Sequence, residues 1–242
     1  MVTKVYTCRH CGSEDIVKNG KTRHGNQRYL CHSCGKTLVL SPKMSAATQQ
    51  YELQIVRSFR ERLSLRGICR IFRISERSVF EKFNEHSRSL PYFKDGLAAA
   101  QEEDVIEFDE LWSFCTDKEH KQWIWTALCR RTRQIVAYVI GDRSKETLKR
   151  LLRKIPDEYL RCSSFSDYWA AYEMLLTKGN HELVGKETGQ TVHMERWNGT
   201  LRNRISRFVR KSLSFSRKLK YHHLFTKTFI WFYNLEHAIN TP

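Results

Sequence analysis

Residues 105–114 read VIEFDELWSF. Apolar and polar residues alternate through them with the two-residue period of a strand, around an aspartate, Asp109, at the centre. A carboxylate in a hydrophobic strand is costly unless it is paired or holds a cation, so Asp109 is not read as incidental. Two more strand patterns follow, WIWTALCR at 123–130 and QIVAYVIG at 134–141. Three strands at hairpin spacing predict an antiparallel meander. Ser144 to Lys154 then reads as a helix, with Ser144 as cap, Glu146 in the first turn, and Leu148, Leu151 and Leu152 inward. RCSSF at 161–165 is a fourth strand ending at Ser166-Asp167, Tyr168 to Thr177 is helical, and HELVG at 181–185 is a fifth strand. A long helix begins near Met194 or Glu195. A last one, near Tyr221 to His237, carries Leu224, Phe225, Phe229, Trp231, Phe232 and Leu235 and reads as a packing or dimer element.

The order of three strands, helix, strand, helix, strand and helix resembles the ribonuclease-H-like fold, an α/β domain with a mixed five-stranded sheet. The domain is expected over 104–242, including a C-terminal basic and helical extension. In that fold the positions of Asp109, Asp167 and Glu195 converge on one edge of the sheet. Three such acids suit two Mg²⁺ or Mn²⁺ ions serving phosphoryl transfer on DNA. Arg202 lies seven residues beyond Glu195, and two helical turns return it to the same face, beside the scissile phosphate. Blander readings stand beside these. Asp167 suits a helix N-cap, and Glu195 suits the positive end of a helix dipole. Glu107 shares a strand face with Asp109 and could substitute for it. Glu110 points the other way, toward a basic partner, and Asp142 is a further competitor.

From Arg196 to Lys220 there are nine Lys or Arg and no acid. Arg202, Arg204, Arg207, Arg210 and Lys211 are expected along DNA. Arg196 and Asn198 flank Glu195 and join the DNA-binding set, while packing is favoured for Trp197. The whole chain of 242 residues carries a net charge of +16. Basic residues interleaved with aromatics point to nucleic acid as partner. No run of 18 or more apolar residues and no signal peptide is present, which predicts an intracellular, cytoplasmic protein with no membrane partner.

Cys8 and Cys11 form one C-x2-C pair and Cys31 and Cys34 another, with nineteen residues between. That spacing suits a closed, structural zinc site of four thiolates, one ion per chain, in a ribbon over 1–42. His10 and His32 lie inside the knuckles, as exposed residues or as replacements for a Cys ligand. Lys18, Lys21, Arg23, His24 and Arg28 make the ribbon basic, and Arg28 is taken as a DNA contact. Residues 43–90 predict an all-α helix-turn-helix domain: GICRIFRI at 67–74, a turn at Arg73-Ile74-Ser75, then a helix capped by Ser75. Arg77, Ser78 and Lys82 are its candidate DNA contacts, with Glu81 and Asn84 nearby; an ordinary helical spacer is the competing reading. Residues 91–103 are expected to be a linker. Cys69, Cys115, Cys129 and Cys162 have no metal spacing and read as core thiols.

The CRHCGSED ribbon, the FDELWSF strand, GDRSKETL, SDYWAAY at Asp167 and TVHMERWNGTLRNRISRFVRKSLSFSR at Glu195 together resemble the transposases of the insertion sequence one family. The resemblance covers nearly the whole chain. It implies a DDE triad of Asp109, Asp167 and Glu195. It further implies cleavage at the transposon ends and attack of the freed 3′-OH groups on target DNA. The ribbon and helix-turn-helix would bind the terminal inverted repeats. It also implies at least a homodimer, in a bacterial or archaeal nucleoid. Two other readings are a nuclease or resolvase of the same fold that cuts without joining, and a DNA-binding regulator with a decayed catalytic domain.

Overall fold

The structure is a computed structural model that describes residues 6–23, 25–40, 46–176, 180–209 and 214–239. The chain divides into two compact units between Leu53 and Gln54. In the first, strands β1 (Ile16–Lys21), β2 (Gln27–Cys31) and β3 (Thr37–Leu38) form an antiparallel sheet in that order. The knuckles before β1 and after β2 turn on Gly12 (φ 77°) and Gly35 (φ 67°), whose left-handed backbone a residue with a Cβ adopts only with strain. Their N–H groups donate to the carbonyls of Cys8 and Cys31, each at 2.9 Å. The core is small: Cys8, Cys31 and Leu38 are buried, with Ile16, Tyr29, Cys34 and Leu40 packed around them. The turn expected at His24 closes through Thr22 N–H donating to Asn26 O at 2.8 Å; His24 itself lies outside the described residues.

Helix α1 (Ala46–Arg60) carries the boundary between the units. In the second unit α2 (Leu65–Phe72) is capped by Ser64 and ends at Arg73 in the left-handed conformation. Helix α3 (Glu76–Ser89) follows with Ser75 as its cap, accepting from Ser78 N–H at 3.1 Å. The expected short helix, turn and longer helix are thus present as geometry, with Val79 and Phe83 inward.

The meander is β4 (Val105–Cys115), β5 (Asp117–Cys129) and β6 (Ile135–Gly141). Helix α4 (Lys145–Leu152) follows, capped by Ser144, and Asp142 accepts from the hydroxyls of Ser144 and Thr147. A short helix α5 (Asp157–Leu160), not anticipated, forms behind Pro156, whose fixed φ suits a helix start. Then come β7 (Ser163–Ser166), α6 (Ala170–Leu176), β8 (His181–Leu183), α7 (Val192–Arg204) and α8 (Leu219–Ile239). The sheet order is β6-β5-β4-β7-β8, with β4, β5 and β6 antiparallel and β7 and β8 parallel to β4. This mixed five-stranded sheet is the expected one.

Two features differ from expectation. Helix α7 starts at Val192 and stops at Arg204, so the basic segment is not one long helix; a short turn of 3-10 helix, Ser206–Phe208, follows it. Within the second unit, the end of α1 from Gln54 and helix α3 also share a core with α8. Phe59 stacks on Phe225 with ring centroids 4.2 Å apart, Phe83 meets Phe225 edge-on, and Phe80 stacks on Tyr221 at 3.9 Å. Helix α8 therefore serves as a packing element.

Candidate active site and metal centre

An open cavity of about 280 Å³ lies beside the middle of β4 and the carboxyl end of β7, lined by Phe108, Asp109, Asp167, Val184, Thr191, Glu195, Asn198 and Arg202. The four residues singled out as catalytic are all on its wall. Asp109 comes from the middle of β4, opposite Thr126 of β5. Asp167 is the first residue past β7, where its Oδ1 accepts from Trp169 N–H at 3.1 Å, so it also holds the turn into α6. Glu195 and Arg202 come from α7, two turns apart on one face.

Burial pushes the Asp109 carboxyl up to about 7, reinforced by the charges of Glu110, Asp167 and Glu195. Its Oδ1 accepts from Glu110 N–H at 2.7 Å, and its Oδ2 accepts from Asn198 Nδ2 at 2.7 Å. Asn198 is buried, and its own Oδ1 has no donor among the described residues. Its role as partner of Asp109 was missed in the sequence, although its position one turn after Glu195 was a usable signal. Trp197 is core, edge-on to Tyr233.

The competing acids are occupied elsewhere. Glu107 is fully buried and accepts from Arg130 Nε at 2.8 Å, from Met194 N–H at 2.9 Å, and pairs with His193 Nδ1 at 2.7 Å. Glu110 accepts from Arg143 Nε at 2.8 Å and from the Tyr172 hydroxyl at 3.0 Å, the basic partner expected for it. Arg143 in turn lies over the rings of Trp123 and Trp169. Asp142 is held below the usual carboxylate range by the Ser144 and Thr147 hydroxyls.

In the first unit Cys8, Cys11, Cys31 and Cys34 bring their sulfurs within 4.8 Å of one another. Cys8 and Cys34 are 3.7 Å apart and Cys11 and Cys31 3.6 Å. A tetrahedron with Zn–S bonds of about 2.3 Å has S–S edges of about 3.8 Å, so the four thiols fit that ion. The Cys8 sulfur also accepts from His10 N–H at 3.4 Å. His10 and His32 are exposed and outside the cluster. Among the described residues this is the one group with all ligand atoms that close; the three acids stand around their cavity at wider spacing.

The basic residues separate into two sets. Arg28, Arg77 and Arg196 are exposed, Arg77 being paired with Glu81 at 2.8 Å, and Ser78 and Lys82 are half-buried on α3. Arg204 is instead tied to Glu61 at 2.6 Å and Glu236 at 3.2 Å. Arg207 points inward, with its guanidinium 4.3 Å from the Phe225 ring centre and a hydrogen bond to Ser216 Oγ at 3.2 Å; burial pushes it down to about 10. Arg204, the last residue of α7, is held by Glu61 and Glu236, and Arg207 lies past the helix end, where the chain turns inward. Arg210 and Lys211 lie outside the described residues.

A mixed five-stranded sheet of this order, with helices packed on it, fits a ribonuclease-H-like DDE domain. The family model described as IS1 transposase matches residues 104–235. The chain is 37% identical over 126 residues to the insertion element iso-IS1n protein InsB of Shigella dysenteriae, covering 52% of this chain and 93% of that protein. It is 36% identical over 116 residues to the insertion element IS1 protein InsB of Shigella flexneri, covering 48% and 86%. With insertion element IS1 4 protein InsB of Escherichia coli (strain K12) it shares 35% over 122 residues, covering 49% and 71%. The chain belongs to the IS1 transposase family. Among the described residues no helix is long and apolar enough to cross a membrane.

Proposed function

We propose that the chain binds the terminal inverted repeats of an insertion element, cleaves its ends and joins the 3′-OH groups to target DNA. The observation that carries this reading is the single cavity on which Asp109, Asp167, Glu195 and Arg202 meet. The donor set is all carboxylate, as a hard divalent cation requires, and Asp109 is pushed up first by burial and then by its acidic neighbours, Asp167 and Glu195 among them. Asp109, Asp167 and Glu195 would hold two Mg²⁺ or Mn²⁺ ions, which when bound activate the attacking oxygen and stabilise the leaving one. Asn198 fixes one oxygen of Asp109 and so orients that carboxylate. Arg202 would engage the phosphate beside the scissile bond.

The other assignments follow the same division. The four cysteines would hold one structural zinc ion in a ribbon over 1–42, with Arg28 toward DNA. Helix α3 would read duplex DNA through Arg77, Ser78 and Lys82, and Arg196 would contact phosphate beside the cavity. These contacts make affinity fall with salt. Synapsis of two ends requires at least a homodimer, acting on the nucleoid of a bacterial or archaeal cell.

The test is strand transfer with duplexes carrying the terminal sequences that flank the gene, pre-cut to expose the 3′-OH, in Mg²⁺ or Mn²⁺. Asp109→Ala, Asp167→Ala and Glu195→Ala are expected to bind these duplexes and form no joined product. Undiminished joining by any one of them removes that residue from the triad. Cutting without joining by the unaltered chain identifies a nuclease instead.

A further inference from the structure

Helix α7 brings Glu195 and Arg202 to the cavity, yet its own start is weak. The residue at its N-cap, Thr191, makes no side-chain cap hydrogen bond, and its φ and ψ of −113° and 15° lie outside the extended conformation usual at that position. The first-turn N–H groups of a helix need acceptors when they are buried. Here one comes from another element. Met194, the third residue of α7 and fully buried, donates its N–H to Glu107 Oε2 at 2.9 Å.

Glu107 lies on β4, two residues before Asp109 and on the same face. Its Oε1 is engaged as well, by Arg130 Nε at 2.8 Å and His193 Nδ1 at 2.7 Å. Arg130 stands just past the end of β5 and reaches the segment leading into α7, donating to Gln190 O at 2.6 Å and Gln190 Oε1 at 2.9 Å. Both oxygens of Glu107 are therefore filled by protein donors, and the residue is absent from the cavity wall. One strand thus carries the carboxylate that faces the cavity and, one strand period earlier, the group that pins the helix delivering the next acid.

We propose that Glu107 is a positioning residue: it caps α7 from the sheet and, with Arg130 holding Gln190, sets where Glu195 stands relative to Asp109. The negative charge at the helix start is favourable to the helix dipole as well as to the orphan N–H. Loss of the clamp leaves Asp109 and Glu195 chemically intact and misplaces one against the other. The inference rests on the reading of that pair as cation ligands, and two readouts separate the two ideas.

The first readout is amide hydrogen exchange of the full chain without added divalent metal, which tests the cap alone. Glu107→Ala is expected to raise exchange at 192–198 while β5 and α8 keep their protection. The second is Mn²⁺ binding followed by electron paramagnetic resonance, with Asp109→Asn as reference. Glu107 bonds the helix that carries Glu195 and not the carboxylate itself, so Glu107→Ala is expected at the lower end of the about 10–100-fold that outer partners of ligands contribute, about tenfold weaker Mn²⁺ binding. Glu107→Gln, which keeps one acceptor, should fall between Glu107→Ala and the unaltered chain, and it serves if Glu107→Ala does not fold. Unchanged exchange at 192–198 in both variants overturns the cap. Changed exchange with unchanged Mn²⁺ affinity overturns the positioning role. Glu107→Gln losing Mn²⁺ as completely as Asp109→Asn makes Glu107 a ligand and overturns the proposal. If Asp109→Asn itself binds Mn²⁺ like the unaltered chain, the metal reading fails, while the exchange result still decides the cap.

Discussion

Asp109 shows what gathering acids costs a fold. Between the ordinary carboxylate range and about 7, the folded chain keeps a proton on this residue that the unfolded chain has released. Stability therefore declines as pH rises through that window, and the full penalty is present above it. The shift corresponds to about 2 kcal/mol once discounted for a carboxyl that lines an open cavity. In the presence of chelator, Asp109→Asn should be more stable than the unaltered chain by about that amount at pH 8, with the difference vanishing near pH 4. The new amide has a natural partner, since Asn198 Oδ1 is buried without a donor among the described residues. Saturating Mn²⁺ should reverse the order by stabilising only the chain with the carboxylate. Urea denaturation at the two pH values checks this; an equal stability at pH 8 would refute it.

At the scale of elements, the outer strand β6 is protected by a side chain rather than by another strand. Asn234 of α8 is buried, accepts from Ile135 N–H at 2.8 Å and donates to Ile135 O at 2.8 Å. Gln134 Nε2 adds a bond to the Asn234 carbonyl at 3.2 Å. An edge strand's backbone groups need such cover when they are buried. Asn234→Ala would leave a buried N–H and a buried C=O unpaired, a loss of about 2–4 kcal/mol. A urea midpoint within error of the unaltered chain would show that the amide is dispensable. The apolar residues of 221–237 announced a packing or dimer element, but their spacing says nothing of an asparagine aimed at a strand edge.

At the scale of the whole molecule, the two units rest on different physics. The unit from Gln54 onward has an extended core running through the sheet, including Trp125, Phe108, Leu148 and Tyr172. The first unit buries Cys8, Cys31 and Leu38, and two of these are candidate ligands. A core that small does not offset the entropy of ordering its chain, and a metal ion held by the four cysteines would supply the difference. Removing zinc with a strong chelator should abolish amide protection in β1 and β2 while α8 and β5 keep theirs. Protection of β1 and β2 in fully metal-free protein would refute a structural role for the cysteines.

Periodicity and spacing were enough for the main strands and helices from 105 onward, the short α5 apart, and for the cysteine pairs, because each follows from local pattern; the three acids were singled out by resemblance to a known fold and family, and the structure brings them with Arg202 to one cavity wall. What periodicity and spacing could not carry was direction. Arg204 and Arg207 continue a basic run in the sequence, yet Arg204, in the last turn of α7, pairs with Glu61 and Glu236, and past the helix end at Ile205 the chain carries Arg207 onto Phe225. Glu107 and Asp109 share a strand face and a charge, and the sequence left either able to face the cavity. Tertiary structure separates them, because donors from α7 and Arg130 fill both oxygens of Glu107 while Asp109 keeps its place on the cavity wall. The identity of an acid is a local property of the chain; the partner that satisfies it comes from elements distant in sequence, and only the folded molecule brings them within hydrogen-bond reach.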